Sequence, residues 1–345
     1  YYQQEYYLSA VNMYSISPYW DVSLSTDFQY NRLNATRKGI QTKFSYPQRY
    51  TGLFSFATSF RTAKFKVLAS VLGTYVHDEV RYNAKAGDKT EFTPALFISY
   101  KPFEEHDFNI RAFSKRIFRM PTFNDLYYTM VGSSSLRPEY MNQYDIGFTY
   151  GLPVSGGFLN FLRIQADAYY TSTKDKIVAA PTGNLFRWMM TNMGKVRGKG
   201  IETVINAHMS VKKVDITANL NYTYSISEDY TKFSGLEMSS YGDQIPYTPW
   251  HSGSAIINAQ YSKWNLNYSF IYVGKRYNGN VNNIPVNEIQ PWYTHDLSLQ
   301  KEFTFDRHKI KGTVEVNNLL NQQYEVIYNY PMPGRTFRFI LSMEL

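Results

Sequence analysis

The feature that most constrains this chain is an alternation of apolar and polar residues with a period of two, repeated in long segments along its length. In one such segment, Trp20 and Phe28 fall on one face while Asp21 and Asp27 fall on the other. Successive side chains of a β-strand point to opposite sides of the sheet. The alternation therefore predicts amphipathic strands and an all-β fold class.

These segments are long for strands. They run for about ten residues or more, whereas strands of soluble sheets have about five or six. A tilted strand that crosses a bilayer needs about 9–11 residues, and its polar face can line the interior of a barrel. We therefore predict a transmembrane antiparallel β-barrel with about 15 strands in this chain. They lie near 5–15, 20–31, 51–61, 65–76, 92–101, 107–116, 140–151, 160–171, 196–209, 214–226, 252–261, 264–274, 292–303, 309–318 and 335–345.

The connections between the predicted strands alternate in length. The short connections 17–19 and 62–64 are followed by the long connections 31–50 and 77–91. Outer-membrane barrels have short periplasmic turns and longer outer loops. The first and last predicted strands then run in the same direction, so the count predicts that an odd number of N-terminal strands is missing.

Composition agrees with a membrane barrel. The chain has 32 Tyr and 23 Phe, and Tyr suits an interface that is apolar on one side and wet on the other. It has no Cys, which excludes disulfide scaffolds, thiol catalysis and Cys-ligated zinc. The net charge is +8 without a dense basic block, so we expect anionic lipid or an anionic ligand as partner, and no nucleic acid.

Seven short motifs resemble those of one family. The segment 118–127, FRMPTFNDLY, resembles a signature of TonB-dependent transporters, and 135–139, SLRPE, follows it at the family's spacing. Near the end, 317–324, NNLLNQQY, and 330–337, YPMPGRTF, are similar to two further family motifs. The other three are 144–148, YDIGF; 192–202, which begins NMG and ends GIE; and 245–249, IPYTP. The chain thus resembles the C-terminal barrel portion of a TonB-dependent outer-membrane transporter.

That resemblance implies a barrel of about 22 strands whose lumen is filled by an N-terminal plug. Residues 1–345 would be the C-terminal part of the barrel domain, without the plug, the TonB box and the first strands. Family members usually end in Phe or Trp, and the ending at Leu345 departs from that pattern.

The resemblance also implies a function. It is active uptake of a bulky, scarce nutrient of the iron-siderophore, cobalamin or haem class, bound by extracellular loops and energised by TonB. The protein would not be an enzyme and would carry no cofactor. The expected partners are TonB, outer-membrane lipid and lipopolysaccharide, a metal-chelate ligand and a surface lipoprotein.

Aromatic residues in the outer loops are the candidates for ligand binding, because they can stack on a planar or macrocyclic ligand. Arg49 and neighbouring cations would meet the negative charge of a chelate. The alternative is that the aromatics belong to the interfacial girdle and the cations meet lipopolysaccharide phosphates. The ligand-binding candidates are Arg187, Trp188, Tyr127, Tyr128, Tyr230, Tyr241, Trp250 and Tyr277.

A second group of motif residues is expected to have a structural role. Prolines stiffen the long loop after position 117. Arg119 or Glu139 would pin that loop to the barrel wall by charge-assisted hydrogen bonds. The residues in this group are Arg119, Pro121, Asn124, Leu136, Pro138, Glu139, Asn318 and Gly334.

Two other classes of function stay open. A passive porin has about 16–18 strands and an open lumen. An outer-membrane hydrolase would need a Ser/His pair, for which His251 and His295 are candidates. The six histidines show no HExxH spacing, and we predict no metal site and no catalytic residue.

Overall fold

The computed structural model describes residues 1–35, 44–128, 131–154, 157–181, 188–233, 236–237, 239–305 and 308–344. Its main feature is one antiparallel sheet of 15 strands, in which each strand pairs with the next long strand along the chain. We number the strands in chain order, together with six short ones. The 15 strands are β1 (Tyr2–Ser17), β2 (Trp20–Asn34), β3 (Gln48–Arg61), β4 (Phe65–Glu79), β5 (Lys89–Tyr100), β6 (Asp107–Arg119), β7 (Glu139–Pro153), β8 (Leu159–Pro181), β9 (Trp188–Val211), β10 (Val214–Asp229), β13 (His251–Tyr261), β14 (Trp264–Val273), β17 (Trp292–Phe305), β18 (His308–Asn317) and β21 (Thr336–Glu344).

The sheet confirms the predicted strand count, order and antiparallel pairing. β1 and β21 are its two edge strands and run in the same direction. The lengths of two strands were predicted wrongly: β8 and β9 have 23 and 24 residues and fill most of the expected loop 172–195. Residues 171–176 are polar on both faces, so the alternation ends there while backbone hydrogen bonding continues.

Smaller elements lie in the connections. Three two-stranded hairpins pair β11 with β12, β15 with β16, and β19 with β20. A five-residue helix, α1, follows β6, and a 3₁₀ turn precedes β16. None was predicted, because each is too short to show periodicity. Their bounds are β11 (Lys232–Phe233), β12 (Leu236–Glu237), β15 (Arg276–Tyr277), β16 (Glu288–Ile289), β19 (Glu325–Ile327), β20 (Tyr330–Pro331), α1 (Phe123–Tyr127) and the 3₁₀ turn Pro285–Asn287.

The two faces of the sheet differ as the alternation predicts. Cross-strand partners share a face, and one face carries aromatic rows. Near the outer strand ends, the rings of Tyr6, Tyr30 and Tyr50 follow one another at 6.0 and 5.0 Å. At the opposite end, Phe65 stacks on Tyr100 at 4.4 Å. We call this aromatic face the outward face and the polar one the inward face.

The inward face is polar, and ion pairs and hydrogen bonds join its side chains. Arg111 Nη2 lies 2.6 Å from Asp167 Oδ1, and Gln165 Nε2 donates to the other oxygen of that carboxylate at 2.9 Å. Among the described residues, no helix has the length and apolar character that a membrane-spanning helix requires.

The buried core lies where outer loops fold over the inward face. Side chains from β2, the loops after β2 and β4, α1 and β8 meet there. Inward-facing Thr173 is 2% exposed, whereas its outward-facing neighbour Lys174 is exposed. The cluster consists of Leu33, Ala35, Phe44, Ala86, Phe123, Leu126, Tyr127, Leu136 and Ile177. The loops therefore form a packed cap at the outer end of the sheet.

Candidate functional site

The cap is organised around α1, which begins at a capping box. Thr122 Oγ1 accepts a hydrogen bond from the Asp125 amide at 3.2 Å, and Asp125 Oδ2 accepts one from the Thr122 amide at 2.9 Å. A capping box satisfies two amides that a helix start leaves unpaired. The sequence carries this signal as Thr122 followed three residues later by Asp125, although the sequence analysis did not use it.

Acidic side chains join α1 to the ends of β6 and β7. Arg119 Nη2 lies 3.3 Å from Asp125 Oδ2, and Arg119 Nη1 lies 3.6 Å from Glu139 Oε2. The same oxygen of Glu139 accepts a hydrogen bond from the Ile177 amide at 2.9 Å. The loop 120–138 is thus tied at both its ends to adjacent strands.

A second tie comes from residues that lie far away in the sequence. Arg49 forms two hydrogen bonds of 2.7 Å with Asp78, and its third, also 2.7 Å, goes to the Pro121 carbonyl. The guanidinium carbon lies 5.2 Å from the Phe123 ring centroid. The charge of Arg49, which the sequence analysis expected to meet a chelate, is paired with the carboxylate of Asp78 in this arrangement. The sequence analysis missed Asp78.

The remaining motif residues near α1 belong to the same cluster of contacts. Pro121, Leu136 and Pro138 are buried, whereas Asn124 is exposed on the helix. Burial of the two prolines and the leucine fixes the path of the loop. Asn124 borders a small cavity of about 300 Å³ near the ends of β1 and β2.

The motifs near the C-terminus form a second cluster, which is held together by hydrogen bonds. Asn318 has a left-handed backbone with φ of 51°, and its side chain donates to the Gln322 carbonyl at 2.8 Å and accepts from the Gln322 amide at 2.9 Å. Asn321 Oδ1 accepts from the Arg335 amide at 2.8 Å. A Cβ on Gly334 would lie 2.7 Å from that Asn321 oxygen, so only glycine fits there without a shift.

Among the residues that the structure describes, the ligand-binding candidates lie at several separate places. Tyr127 is buried, its hydroxyl accepts from the Ala86 amide at 3.2 Å, and burial raises the pKa of its phenol. Tyr128 is exposed beside Tyr1, with ring centroids 5.3 Å apart. Arg187 lies outside the described residues. Trp188 starts β9, and its side chain also lies outside the description.

The other four candidates form two separate edge-to-face pairs. The Tyr230 and Tyr241 centroids are 5.2 Å apart, and those of Trp250 and Tyr277 are 5.7 Å apart. Tyr277 is buried in the β15–β16 hairpin. There Lys275 Nζ lies 2.9 Å from Glu288 Oε2, a contact that raises the pKa of Lys275 and lowers that of Glu288. Trp250 is half-buried and contacts the hairpin through the ring of Tyr277.

The histidines proposed for a hydrolase bond to aromatic hydroxyls. Tyr222 Oη lies 2.8 Å from His251 Nδ1, and Tyr268 Oη lies 2.7 Å from His295 Nδ1. Both pairs are cross-strand neighbours within the outward aromatic rows. In the part of the chain that the structure describes, no group of three His, Asp or Glu side chains is placed to hold a metal ion. The described residues at the outer end of the sheet offer aromatic rings, hydroxyls and charged side chains. These groups suit binding of a ligand by stacking, hydrogen bonds and ion pairs.

Comparison with known proteins identifies the architecture. A family model described as TonB dependent receptor-like, beta-barrel, matches residues 1–319. The vitamin B12 transporter BtuB of Vibrio vulnificus (strain YJ016) is 35% identical over 85 residues, which are 25% of this chain and 13% of BtuB.

Solved structures agree on the fold. The unliganded ferric citrate transporter FecA superposes with a TM-score of 0.73 at 14% identity, over 99% of this chain and 54% of FecA. The copper transporter OprC gives 0.70 at 14% identity, over 97% and 55%. The FrpB iron transporter of Neisseria meningitidis (F3-3 variant) gives 0.67 at 14%, over 97% and 54%.

This chain spans about half the length of those solved relatives. Since the family model covers all but the last 26 residues (345 less 319), the family assignment does not rest on one segment. The sheet order, the outward aromatic rows and the family match agree with one another. The chain belongs to the TonB-dependent receptor β-barrel family, whose members are proteins of the bacterial outer membrane.

Proposed function

We propose that the protein carrying this chain actively imports a bulky, scarce nutrient across the outer membrane. The observation that carries this proposal is the family match over 1–319, in a sheet with an aromatic outward face and a polar inward face. The packed cap adds support, because a nutrient entering from outside would meet it first. The proposed energy source is TonB, which would act through another part of the full-length protein.

The proposed substrate class is a metal chelate or a corrinoid: an iron-siderophore, cobalamin or haem. The 85-residue similarity to BtuB supports cobalamin as the first substrate to test. Tyr128 and Trp250 are the proposed stacking residues, because their rings are not fully buried. A surface lipoprotein partner is proposed only for substrates that need capture before entry.

Uptake in cells tests the proposal. The full-length gene is expressed in a strain that lacks its own outer-membrane transporters for iron chelates and cobalamin. We expect accumulation of radiolabelled cyanocobalamin, a ferric siderophore or haem, abolished by deletion of TonB or by collapse of the proton gradient. Uptake of small solutes that persists without TonB, with open conductance in planar bilayers, would contradict active transport and favour a porin.

A further inference from the structure

β5 and β6 are neighbours in the sheet but pair over only part of their length. Toward the outer end, their ladder stops at Ala95, which lies opposite Lys115. Beyond that pair, β5 still extends over 89–94 and β6 over 116–119, and each segment stays paired with its other neighbour, β4 or β7. We call the gap between these two segments the seam.

The seam begins at a proline. Pro94 is the first residue of β5 beyond the last pair, and proline has no N–H to donate to a neighbouring strand. The side chain before it bonds in the other direction, since Thr93 Oγ1 donates to the Leu72 carbonyl of β4 at 3.3 Å. The outer part of β5 is therefore held by β4 alone.

The seam lies where the wall leaves the membrane. Lys115 pairs with Gln143, and the next residue of β7 toward the periplasm is Tyr144. Tyr144 is exposed on the outward face, and its ring centroid lies 6.4 Å from that of Tyr170. Tyrosines of this kind mark the boundary between membrane and water. Unpaired strand edges do not occur in hydrocarbon, but above this row water can bond to them.

Side chains connect the two sides of the seam. Glu91 of β5 accepts a hydrogen bond from Tyr140 Oη of β7 at 2.8 Å, and its other oxygen lies 3.9 Å from Arg116 Nη2 of β6. We call these three residues the latch. Side-chain rotamers change much faster than paired strands separate, so this closure opens more readily than a backbone ladder does.

The latch joins the two faces of the wall. Lys115 lies four residues along β6 from inward-facing Arg111, so its partner Ala95 and, four residues further, Glu91 also belong to the inward face. Tyr140 lies four residues from Tyr144 and belongs to the outward face. A carboxylate of the inward face can reach an outward phenol only where no ladder lies between them.

Above the seam, the cap joins the two strands again. The Ala86 amide, in the loop before β5, donates to the hydroxyl of Tyr127 in α1 at 3.2 Å, and both residues are buried. The seam is thus bounded by the cap above and by the last β5–β6 pair below.

Open space borders the seam. A cavity of about 1030 Å³ at the outer strand ends has all three latch residues in its lining. A second cavity, of about 570 Å³, is lined by Pro94 together with Ala95 and Lys115 at the lower end of the seam. Solvent can therefore approach the latch and the last pair.

We propose that β5 and β6 form a side gate in the wall. When the latch opens, water and small hydrophilic solutes pass between the two strands into the space beneath the cap. The gate is a property of the wall and goes beyond the proposed uptake function, because it does not depend on which nutrient is carried.

Hydrogen exchange of the full-length wild-type protein in detergent is the first test. We expect the amides of 90–93 that do not donate to β4 to exchange at least about tenfold faster than those of 96–100. The control is 70–75 of β4, which pairs with strands on both sides and should be protected as 96–100 is. Equal protection of 90–93 and 96–100 would overturn the proposal, because the ladder would then continue through the seam.

A single introduced thiol provides the second test, since this chain has no Cys. Thr93→Cys places the thiol in the seam of an otherwise cysteine-free full-length protein. Thr51→Cys is the matched control: both threonines face inward and are 9% exposed, but Thr51 lies on β3, which is paired on both sides. The probes are a small cationic methanethiosulfonate and a maleimide that carries a large polyethylene glycol chain.

The latch variants are Glu91→Ala, which removes the carboxylate, and Tyr140→Phe, which removes only the hydroxyl. We expect either one to raise the reaction rate of the thiol at position 93 with the small reagent by about tenfold, the effect of losing a hydrogen bond to a charged group. The rate at position 51 should stay unchanged. The large reagent should not react at position 93 in any folded variant.

Two results of the thiol test would overturn the proposal. One is an unchanged rate at position 93 in the folded latch variants. The other is equal reaction with the small and the large reagent, because the segment would then be unfolded and not gated. Folding is checked by heat-modifiable electrophoretic mobility, and if the latch variants do not fold, hydrogen exchange of the wild type decides. Neither readout involves uptake, so failure of the uptake proposal would leave this test valid.

Discussion

Arg49 and Asp78 form an ion pair whose carboxylate is completely buried and whose guanidinium is 11% exposed. Removing one partner of a buried pair leaves an uncompensated charge, at a cost of about 3–5 kcal/mol. We expect Arg49→Met to lower the midpoint temperature of unfolding in detergent, followed by electrophoretic mobility. The control is Arg61→Met, which breaks a 2.9 Å contact with Asp21 whose arginine is 56% exposed and should cost about 0–1 kcal/mol. Equal effects of the two substitutions would contradict this account.

Gly147 on β7 faces inward, and a Cβ there would meet Asp167 and lie 2.5 Å from the Ala166 carbonyl oxygen. Asp167 is the partner of Arg111, so the added methyl group would also disturb that ion pair. We expect Gly147→Ala to destabilise the wall by about 1–3 kcal/mol. Gly312→Ala is the control, because nothing lies within 4 Å of its Cβ, and its unfolding temperature should stay equal or rise. If Gly147→Ala leaves the unfolding temperature unchanged, the strands around it must shift to accommodate the methyl group, which would contradict this prediction.

For single residues, the sequence predicts which positions belong to the loop motifs. It does not predict which side chains they contact in the folded protein. Arg119 and Glu139 are near in sequence to the loop they tie, so their role is open to prediction. Asp78 is far from α1 in the sequence. Only the pairing of strands in the sheet places Arg49 where it contacts both Asp78 and Pro121. Burial of Tyr127 and Tyr277 depends on how several loops pack, and no local pattern encodes it.

Among the elements, α1 is short enough that its stability depends on its first turn. Thr122→Ala removes the side chain that accepts from the Asp125 amide, at a cost of about 1 kcal/mol. We expect faster hydrogen exchange in 120–128 and faster proteolysis of the β6–β7 loop, with the sheet unaffected. Thr122→Ser keeps the hydroxyl and should behave as the wild type does. Unchanged exchange in Thr122→Ala would show that packing of Phe123 and Leu126 alone holds the helix.

The strands show where element prediction succeeds and where it ends. Within the membrane, one face must be apolar, so β2 and β10 show the alternation clearly. The outer ends of β8 and β9 have water or headgroups on one side and loops on the other, so no apolar alternation is required there. Their cross-strand ladder continues to Pro181 and Trp188, held by backbone pairing that the sequence does not reveal.

For the whole molecule, the central claim is that one face of the wall meets hydrocarbon while the other does not. Adjacent residues of β8 test it: Ala166 shares the outward face of Phe148, and Gln165 shares the inward face of Thr149. Both lie between the two aromatic rows. An arginine facing lipid near the bilayer midplane costs about 2–4 kcal/mol, whereas an inward substitution does not meet lipid.

We therefore expect Ala166→Arg to reduce the folded fraction when the full-length protein is inserted into lipid vesicles, and Gln165→Arg to fold nearly as the wild type does. Gln165 already donates to Asp167 at 2.9 Å, so an arginine there keeps an acidic partner within reach. Folding is measured by heat-modifiable mobility after reconstitution. If both variants fold equally well, or if Gln165→Arg is the worse of the two, the assignment of the outward face to lipid is wrong.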